Sequence, residues 1–255
     1  MYWPYGEEDM EKKEYSRIAK REDFYFWHVG RREILKEALE RSLPEDRRNL
    51  EILDIGCGPG GNITMLSDFG RVTGLDNAQE ALAFAKTRGF ERLLEADATK
   101  IPLPSTSFDL ISSLDMLEHI SDDEKVISEA FRLLKQGGTF LVTAPAHPWL
   151  WSSHDEALHH VRRYTRGEIT SKLKKAGFLV VEQSHFVMAA VPMNLLRKLY
   201  DKIFSGGKKT IDTYDVEFSP AVNALLLFIL RCEKKLMRSI SLPFGSSLLV
   251  VAKKP

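Results

Sequence analysis

Two cysteines, Cys57 and Cys232, are too few for a disulfide framework or a zinc-ribbon site. That scarcity suits a reducing, intracellular setting. No apolar run is longer than Ala224 to Leu230, far short of the ~20 residues a membrane-spanning helix needs. The segment Met1 to Asp9 has neither the basic stretch nor the apolar core of a secretion signal, so a cytoplasmic location is expected. Charge of one sign is missing too: 36 Lys and Arg balance 36 Asp and Glu, which argues against a globally basic nucleic-acid binder. Repeats and low-complexity tracts are absent. What remains is an ordinary globular composition, with 44% apolar residues in a chain of 255, enough for one domain and an elaboration.

The chain divides by character. Residues 1–48 are polar, helical in pattern, and carry an aromatic cluster at Phe24, Tyr25, Phe26 and Trp27; they read as an N-terminal helical lid. Residues 49–186 and 246–255 read as a core of strands and helices. Residues 187–245 read as a helical cap inserted before the last strand. Within the core, short apolar runs end at Gly56, Asp76 and Asp97, and further runs cover Phe108 to Ser112 and Thr139 to Thr143. Asn77 to Glu80, Ser121 to Glu124 and Thr165 to Glu168 have the spacing of capping boxes, in which the first side chain accepts a backbone N–H and the Glu reaches back. Gly89, Gly137-Gly138 and Gly177 sit where helices should stop. Alternating strands and helices require right-handed crossovers and a mainly parallel sheet covered on both faces. The strands at Phe178 to Glu182 and Leu248 to Ala252 have no crossover unit left between them, so an antiparallel pair is expected.

The first strand opens into Asp54-Ile-Gly56-Cys57-Gly58-Pro-Gly60-Gly61. Glycines there permit a tight turn and close approach to a ligand. The loop feeds a helix N-terminus, whose free N–H groups favour an electron-rich ligand group. By spacing, Gly56, Gly58 and Gly61 also fit the dinucleotide fingerprint G-x-G-x-x-G. Asp54 separates the two readings. A carboxylate two residues before the first glycine repels a pyrophosphate and suits a ligand with an amino group or a sulfonium. Asp76, twenty positions after Gly56, can accept both hydroxyls of a ribose, and Asp97 can accept an exocyclic amine. Each acid taken alone also reads as a turn or cap residue. The three end successive strands, at the edge where open α/β sheets bind ligands.

Together, Asp54 to Gly60, Asp76, Ala96-Asp97-Ala98 and Phe108-Asp109-Leu110 resemble the ordered motifs of class I S-adenosylmethionine-dependent methyltransferases, over residues 30–185 and the last strand. The resemblance implies an α/β, doubly wound, seven-stranded Rossmann-like sheet with an antiparallel seventh strand between the fifth and sixth. It implies a cofactor site: Asp54, Gly56, Cys57 and Gly58 around the amino-acid end, Asp76 and Asn77 at the ribose, Asp97 and Ala98 at the adenine, Leu114 and Met116 on the methionine side. The implied reaction carries a methyl group from S-adenosylmethionine to an acceptor and leaves S-adenosylhomocysteine. Cys57 reads as a small residue fitted to the loop rather than a nucleophile.

After the fourth strand, Asp115, Glu118 and His119 are spaced i, i+3, i+4, which one helical turn would gather on a single face. Two methyltransferase subfamilies, those of ubiquinone O-methylation and small-RNA 2′-O-methylation, bind a divalent metal with a similar turn plus a distant His. Here that His would be His160, and Asp115 stands where those subfamilies carry Glu; metal is not expected to be required. His119 and His160 are the candidate catalytic residues, since His takes protons near neutral pH. Methyl transfer depends chiefly on alignment, so an indispensable base is not demanded.

Residues 161–175 hold six basic residues against Glu168, and the expected cap holds nine bases against five acids. The cap also carries two strongly apolar stretches, Phe186 to Val191 and Ala224 to Leu230, which must bury against the sheet, a second subunit, an apolar acceptor or a membrane surface. The expected acceptor is small, with an apolar or anionic part; contact with a membrane surface or a homodimer through 187–245 is the partner reading. Rival readings are an RNA methyltransferase, a nicotinamide-binding oxidoreductase and a non-catalytic cofactor binder. Nucleic acid is disfavoured by the zero net charge, nicotinamide by Asp54.

Overall fold

A computed structural model describes residues 19–44, 49–204 and 218–255. Residues 1–18 and 45–48 of the expected lid and 205–217 of the expected cap lie outside the described residues, with Lys208, Lys209, Asp212, Asp215 and Glu217.

The described elements run α1 (Phe26–Ser42), β1 (Leu50–Ile55), α2 (Gly61–Leu66), β2 (Gly70–Asp76), α3 (Gln79–Thr87), β3 (Leu93–Glu95), β4 (Phe108–Leu114), α4 (Asp123–Leu133), β5 (Leu134–Pro145), α5 (Ser153–Ala157), α6 (Arg166–Lys175), β6 (Leu179–Phe186), α7 (Ala190–Phe204), α8 (Pro220–Met237) and β7 (Ser247–Lys253). Seven strands form one sheet in the order β3-β2-β1-β4-β5-β7-β6. The pairs among β1 to β5 are parallel, and β7 runs antiparallel to both β5 and β6. This is the expected sheet, with the seventh strand between the fifth and sixth.

Strand periodicity sorts the core into two layers. Leu50 and Ile52 of β1 face α1, α2 and α8, and Leu53 and Ile55 face α4 and α6. α4 buries Val126, Ile127, Ala130 and Leu133 along one stripe against the sheet, while α1 buries Ile34, Leu35, Ala38 and Leu39. Both layers are therefore closed by amphipathic helices, as a parallel sheet requires. Among the described residues no helix is long and apolar enough to cross a membrane.

Several local expectations shift. Asn77 does not cap α3: the N-cap is Ala78, whose N–H donates to Asp76 Oδ1 at 3.0 Å. α4 is capped one residue later than expected, by Asp122 on the Lys125 N–H. Of the three consecutive acids after Ser121, the first caps α4, while Asp123 accepts from the Tyr164 hydroxyl at 2.6 Å and from Lys172 Nζ at 2.7 Å. Thr165 does accept the Glu168 N–H, at 3.2 Å. Gly89 and Gly177 follow helix ends with φ of 87° and 102°. Gly137 and Gly138 instead lie inside β5, which takes over from α4 at Leu134 with no intervening loop. α1 starts inside the aromatic cluster. Tyr25 and Phe26 pack on Phe218, with ring centroids 6.0 and 5.8 Å away, and the Phe26 N–H donates to Asn223 Oδ1 at 2.8 Å. The cluster thus anchors α1 to the start of α8.

Candidate active site

The glycine loop turns out of β1 against the end of β2. The N–H groups of Gly56 and Cys57 donate to the Leu75 carbonyl at 2.7 and 2.9 Å. Gly56, Gly58 and Gly60 have φ of 74°, 54° and 92°, a left-handed run that side chains resist. Around Gly58 nothing lies within 4 Å of where a Cβ would be, so the backbone there borders open space. Met116 packs on Gly56, and Cys57 is buried with its thiol pushed up by burial, which keeps it from nucleophilic chemistry.

Asp54 occupies the α1 side of β1. One carboxylate oxygen accepts from Ser112 Oγ at 2.7 Å, while Oδ2 is buried with no partner. Burial is the main cause that lifts its pKa to about 7, against the pull of Ser112 and Arg31. Asp76 is also buried. Its Oδ2 accepts the Gly58 N–H at 2.9 Å and its Oδ1 the Ala78 N–H, so one carboxylate ties β2 to the glycine loop and to α3. Burial raises its pKa too. Asn77 beside it is exposed. Asp97 is exposed and accepts from the Thr99 N–H and Oγ1, both at 2.8 Å, which lowers its pKa. Ala98 and Leu114 are buried.

The segment before β1 contributes residues that the motif reading passed over. Glu22 is buried over Gly61: an added Cβ there would meet its carboxyl carbon at 2.3 Å. It pairs with Arg88, which also donates to the Pro59 carbonyl at 3.3 Å. Arg31 of α1 is buried, donates to Thr143 Oγ1 at 2.5 Å and pairs with Asp115 at 3.0 Å, while its Nε has no partner. The only sequence signal for these contacts is the basic pair Arg31-Arg32 after the aromatic cluster.

The expected Asp115–Glu118–His119 face does not form. The segment is a single 3-10 turn over Leu117–His119, and Asp115 has φ 54°. Left-handed backbone turns its side chain away to Arg31 and Thr143 Oγ1, the latter at 2.9 Å. Glu118 and His119 do meet His160: potential ligand atoms of the three lie within 4.8 Å of one another. The two imidazoles cross at 83° with centroids 4.7 Å apart. Glu118 is buried with both carboxylate oxygens unpartnered, so burial, and then Asp115, push its pKa well up. Burial, and then His160, bring His119 down to about 4, leaving a neutral ring at pH 7.

His160 is oriented by a residue that the sequence reading missed. Asp155, fully buried, takes His160 Nδ1 at 3.0 Å and Arg163 Nε at 2.6 Å. Its pKa sits at about 2, because burial is outweighed by the bonds from His160 and Arg163. A signal was available: Ser152-x-x-Asp155 forms the capping box of α5.

Residues 53–142 match the family model described as methyltransferase domain. A probable S-adenosylmethionine-dependent methyltransferase of Mycolicibacterium smegmatis is 33% identical over 135 residues, 51% of this chain and 52% of that protein. The chain thus spans about half the length of the curated relatives it matches. In three dimensions it resembles a SAM-dependent methyltransferase of Thermotoga maritima, with a TM-score of 0.60 and 18% identity, covering 95% of this chain and 96% of that one. It also resembles Haemonchus contortus phosphoethanolamine N-methyltransferase 2, solved in complex with S-adenosylmethionine, at a TM-score of 0.56 and 26% identity, over 85% of this chain and 51% of that one. Residues 53–142 thus match a methyltransferase domain, and the seven-stranded sheet around them has the fold of S-adenosylmethionine-dependent methyltransferases.

Proposed function

We propose that the chain binds S-adenosylmethionine along the ends of β1, β2 and β3 and directs its methyl group to a small acceptor with an apolar or anionic part. The observation that carries this reading is the buried, unpartnered Oδ2 of Asp54 beside the glycine loop. A buried acceptor without a partner is costly unless a donor arrives. A ligand ammonium supplies that donor; a pyrophosphate does not. Asp76 would hold the ribose hydroxyls, Asp97 and Ala98 the adenine, and Leu114 and Met116 the thioether side. When bound, the cofactor offers an electrophilic methyl on sulfur. His119, neutral at pH 7, is placed to accept the proton of an acceptor hydroxyl or amine, and Asp155 fixes the ring of His160 beside it.

A small acceptor fits better than RNA. Of the bases in 161–175, Lys172 and Arg162 pair with Asp123, Arg163 with Asp155, Lys175 with Glu124, and Arg166 donates to the Gln183 carbonyl at 2.6 Å. This basic stretch is therefore largely neutralised by the protein itself. Curated relatives are named for acceptors as different as malonyl-[acyl-carrier protein], a phytyl hydroquinone and a sterol, so the relatives do not select one.

Calorimetry with S-adenosylmethionine, S-adenosylhomocysteine and NAD tests the reading: both sulfur compounds should bind and NAD should not. Binding of NAD alone would overturn it. The pH dependence is a second expectation. Because the folded protein lowers His119 to about 4, the acid limb of the transfer rate should fall near pH 4 and not near the usual 6.5 of a free imidazole. A limb at 6.5 would remove His119 as the base. Chelation should leave transfer intact, since Arg31 holds Asp115 and, among the described residues, Glu118, His119 and His160 are the ligands that converge. Loss with a chelator and recovery with a divalent ion would assign Glu118, His119 and His160 as its ligands.

A further inference from the structure

Past β5 the chain makes a strained turn. His147 has φ 61°, a conformation that a non-glycine residue seldom holds without a compensating role. Its ring lies flat on His185 of β6, with centroids 4.9 Å apart and planes 2° from parallel. Trp149 and Phe244 flank it at 5.4 and 5.2 Å, and stand 6.3 Å from each other at 16°. The four rings come from three separate stretches: the loop after β5, the end of β6 and the approach to β7. Trp149 and Phe244 are 47% and 38% exposed, which leaves two aromatic walls half open to solvent.

Two polar atoms at this place lack partners, His147 Nε2 and Ser246 Oγ, and Ser246 is only 4% exposed. Burial, ahead of the nearby Arg163, holds the His147 ring below the usual imidazole value, so the ring is neutral at pH 7. On the neutral tautomer that carries its proton at Nδ1, the unpartnered Nε2 is a bare lone pair. It can accept one hydrogen bond.

The cluster is tied to the catalytic candidates. Ala146, next to His147, accepts from Arg163 at 3.2 Å. Arg163 donates to Asp155, and Asp155 holds His160 against His119. We propose that His147, Trp149, His185 and Phe244 form the acceptor subsite, which takes a flat aromatic ring whose hydroxyl or amine N–H donates to His147 Nε2. The subsite rests on the methyltransferase reading, because β5 and β6 end at the same sheet edge as β4, whose following turn carries His119, and an occupant at that edge would be the acceptor. Flat rings gain over bulky aliphatic ones here, since offset stacking adds to burial.

Phenol and cyclohexanol, alike in size and in their hydroxyl but not in flatness, serve as probes. Each is titrated by saturation-transfer NMR into the full chain saturated with S-adenosylhomocysteine. Phenol should bind at least fivefold tighter than cyclohexanol. Trp149→Ala and His147→Asn should each weaken phenol at least fivefold, Trp149→Phe should retain it, and cofactor-product affinity and melting temperature should stay unchanged in all three. Asn tolerates the left-handed backbone that position 147 requires. Equal binding of the two probes, or phenol binding that survives both Trp149→Ala and His147→Asn, overturns the subsite. Failure of S-adenosylhomocysteine to bind the unmodified chain overturns the methyltransferase reading instead, and is read separately by calorimetry.

Discussion

Replacing Asp76 with alanine is expected to weaken S-adenosylhomocysteine binding by about ten- to a hundredfold, the equivalent of the ~1.5–3 kcal/mol that hydrogen bonds to charged groups contribute. An ionised carboxylate offers about four lone-pair positions. In this site the Gly58 and Ala78 N–H groups occupy two of them, and the rest are available to ribose hydroxyls. The substitution removes the ligand's acceptor and also frees the Gly58 N–H that shapes the loop. Asp76→Asn keeps one carbonyl oxygen and should lose less. Calorimetry on a variant whose circular dichroism is unchanged gives the answer. An unaltered affinity would mean that the ribose is held elsewhere.

Asp155→Ala is expected to destabilise the protein by about 3–5 kcal/mol, as removal of one partner of a buried ion pair typically does. Arg163 is almost wholly buried and would be left with the Ala146 carbonyl as its remaining hydrogen-bond partner among the described residues. The α5 capping box and the orientation of His160 would go with it. Asp155→Asn retains the cap acceptor and should be milder. Urea titration monitored by tryptophan fluorescence measures the loss, and a midpoint equal to that of the parent would show that Arg163 finds other support. The same pair predicts acid behaviour. Asp155 is held at about 2, below its ordinary value of 3.8. Its contribution is therefore complete above about pH 4 and lost as pH falls through about 2. Asp54 works the other way. With its pKa raised from 3.8 to about 7, the ligand-free protein loses stability as pH rises across that interval, and a cationic ligand that favours the ionised form offsets the loss.

The sheet and the position of the glycine loop and acids along one of its edges were legible because strand ends, glycines and helix stops are local signals. Asp54, Asp76 and Asp97 end strands in a one-dimensional pattern, and the folded chain keeps them at one edge. Partners that arrive from far along the chain were not legible. Spacing put Asp115 on a helical face with Glu118 and His119, but Arg31, distant in sequence, claims it through a left-handed turn. Phe24 to Trp27 could not announce Phe218 as their neighbour, since nothing local to either segment encodes the other. Asp155 was hidden for a different reason: a short capping box is a common helix signal, and its second use, orienting His160 and neutralising Arg163, appears only when the loop is folded. Gly137 and Gly138 misled because a glycine that ends a helix and one that opens a strand look alike in a sequence.

The unequal burial of the two thiols makes the protein a ready-made single-site reporter. Cys57 is sealed in the glycine loop with a thiol that resists ionisation, while Cys232 is exposed on α8, in a stretch of helix that also presents Phe228 and Leu236 to solvent. A maleimide dye added to the native chain should therefore couple to Cys232 alone, without any engineered mutation. Its emission would follow α8 directly, so movement of that helix on ligand binding could be timed in solution while the glycine loop stays chemically untouched.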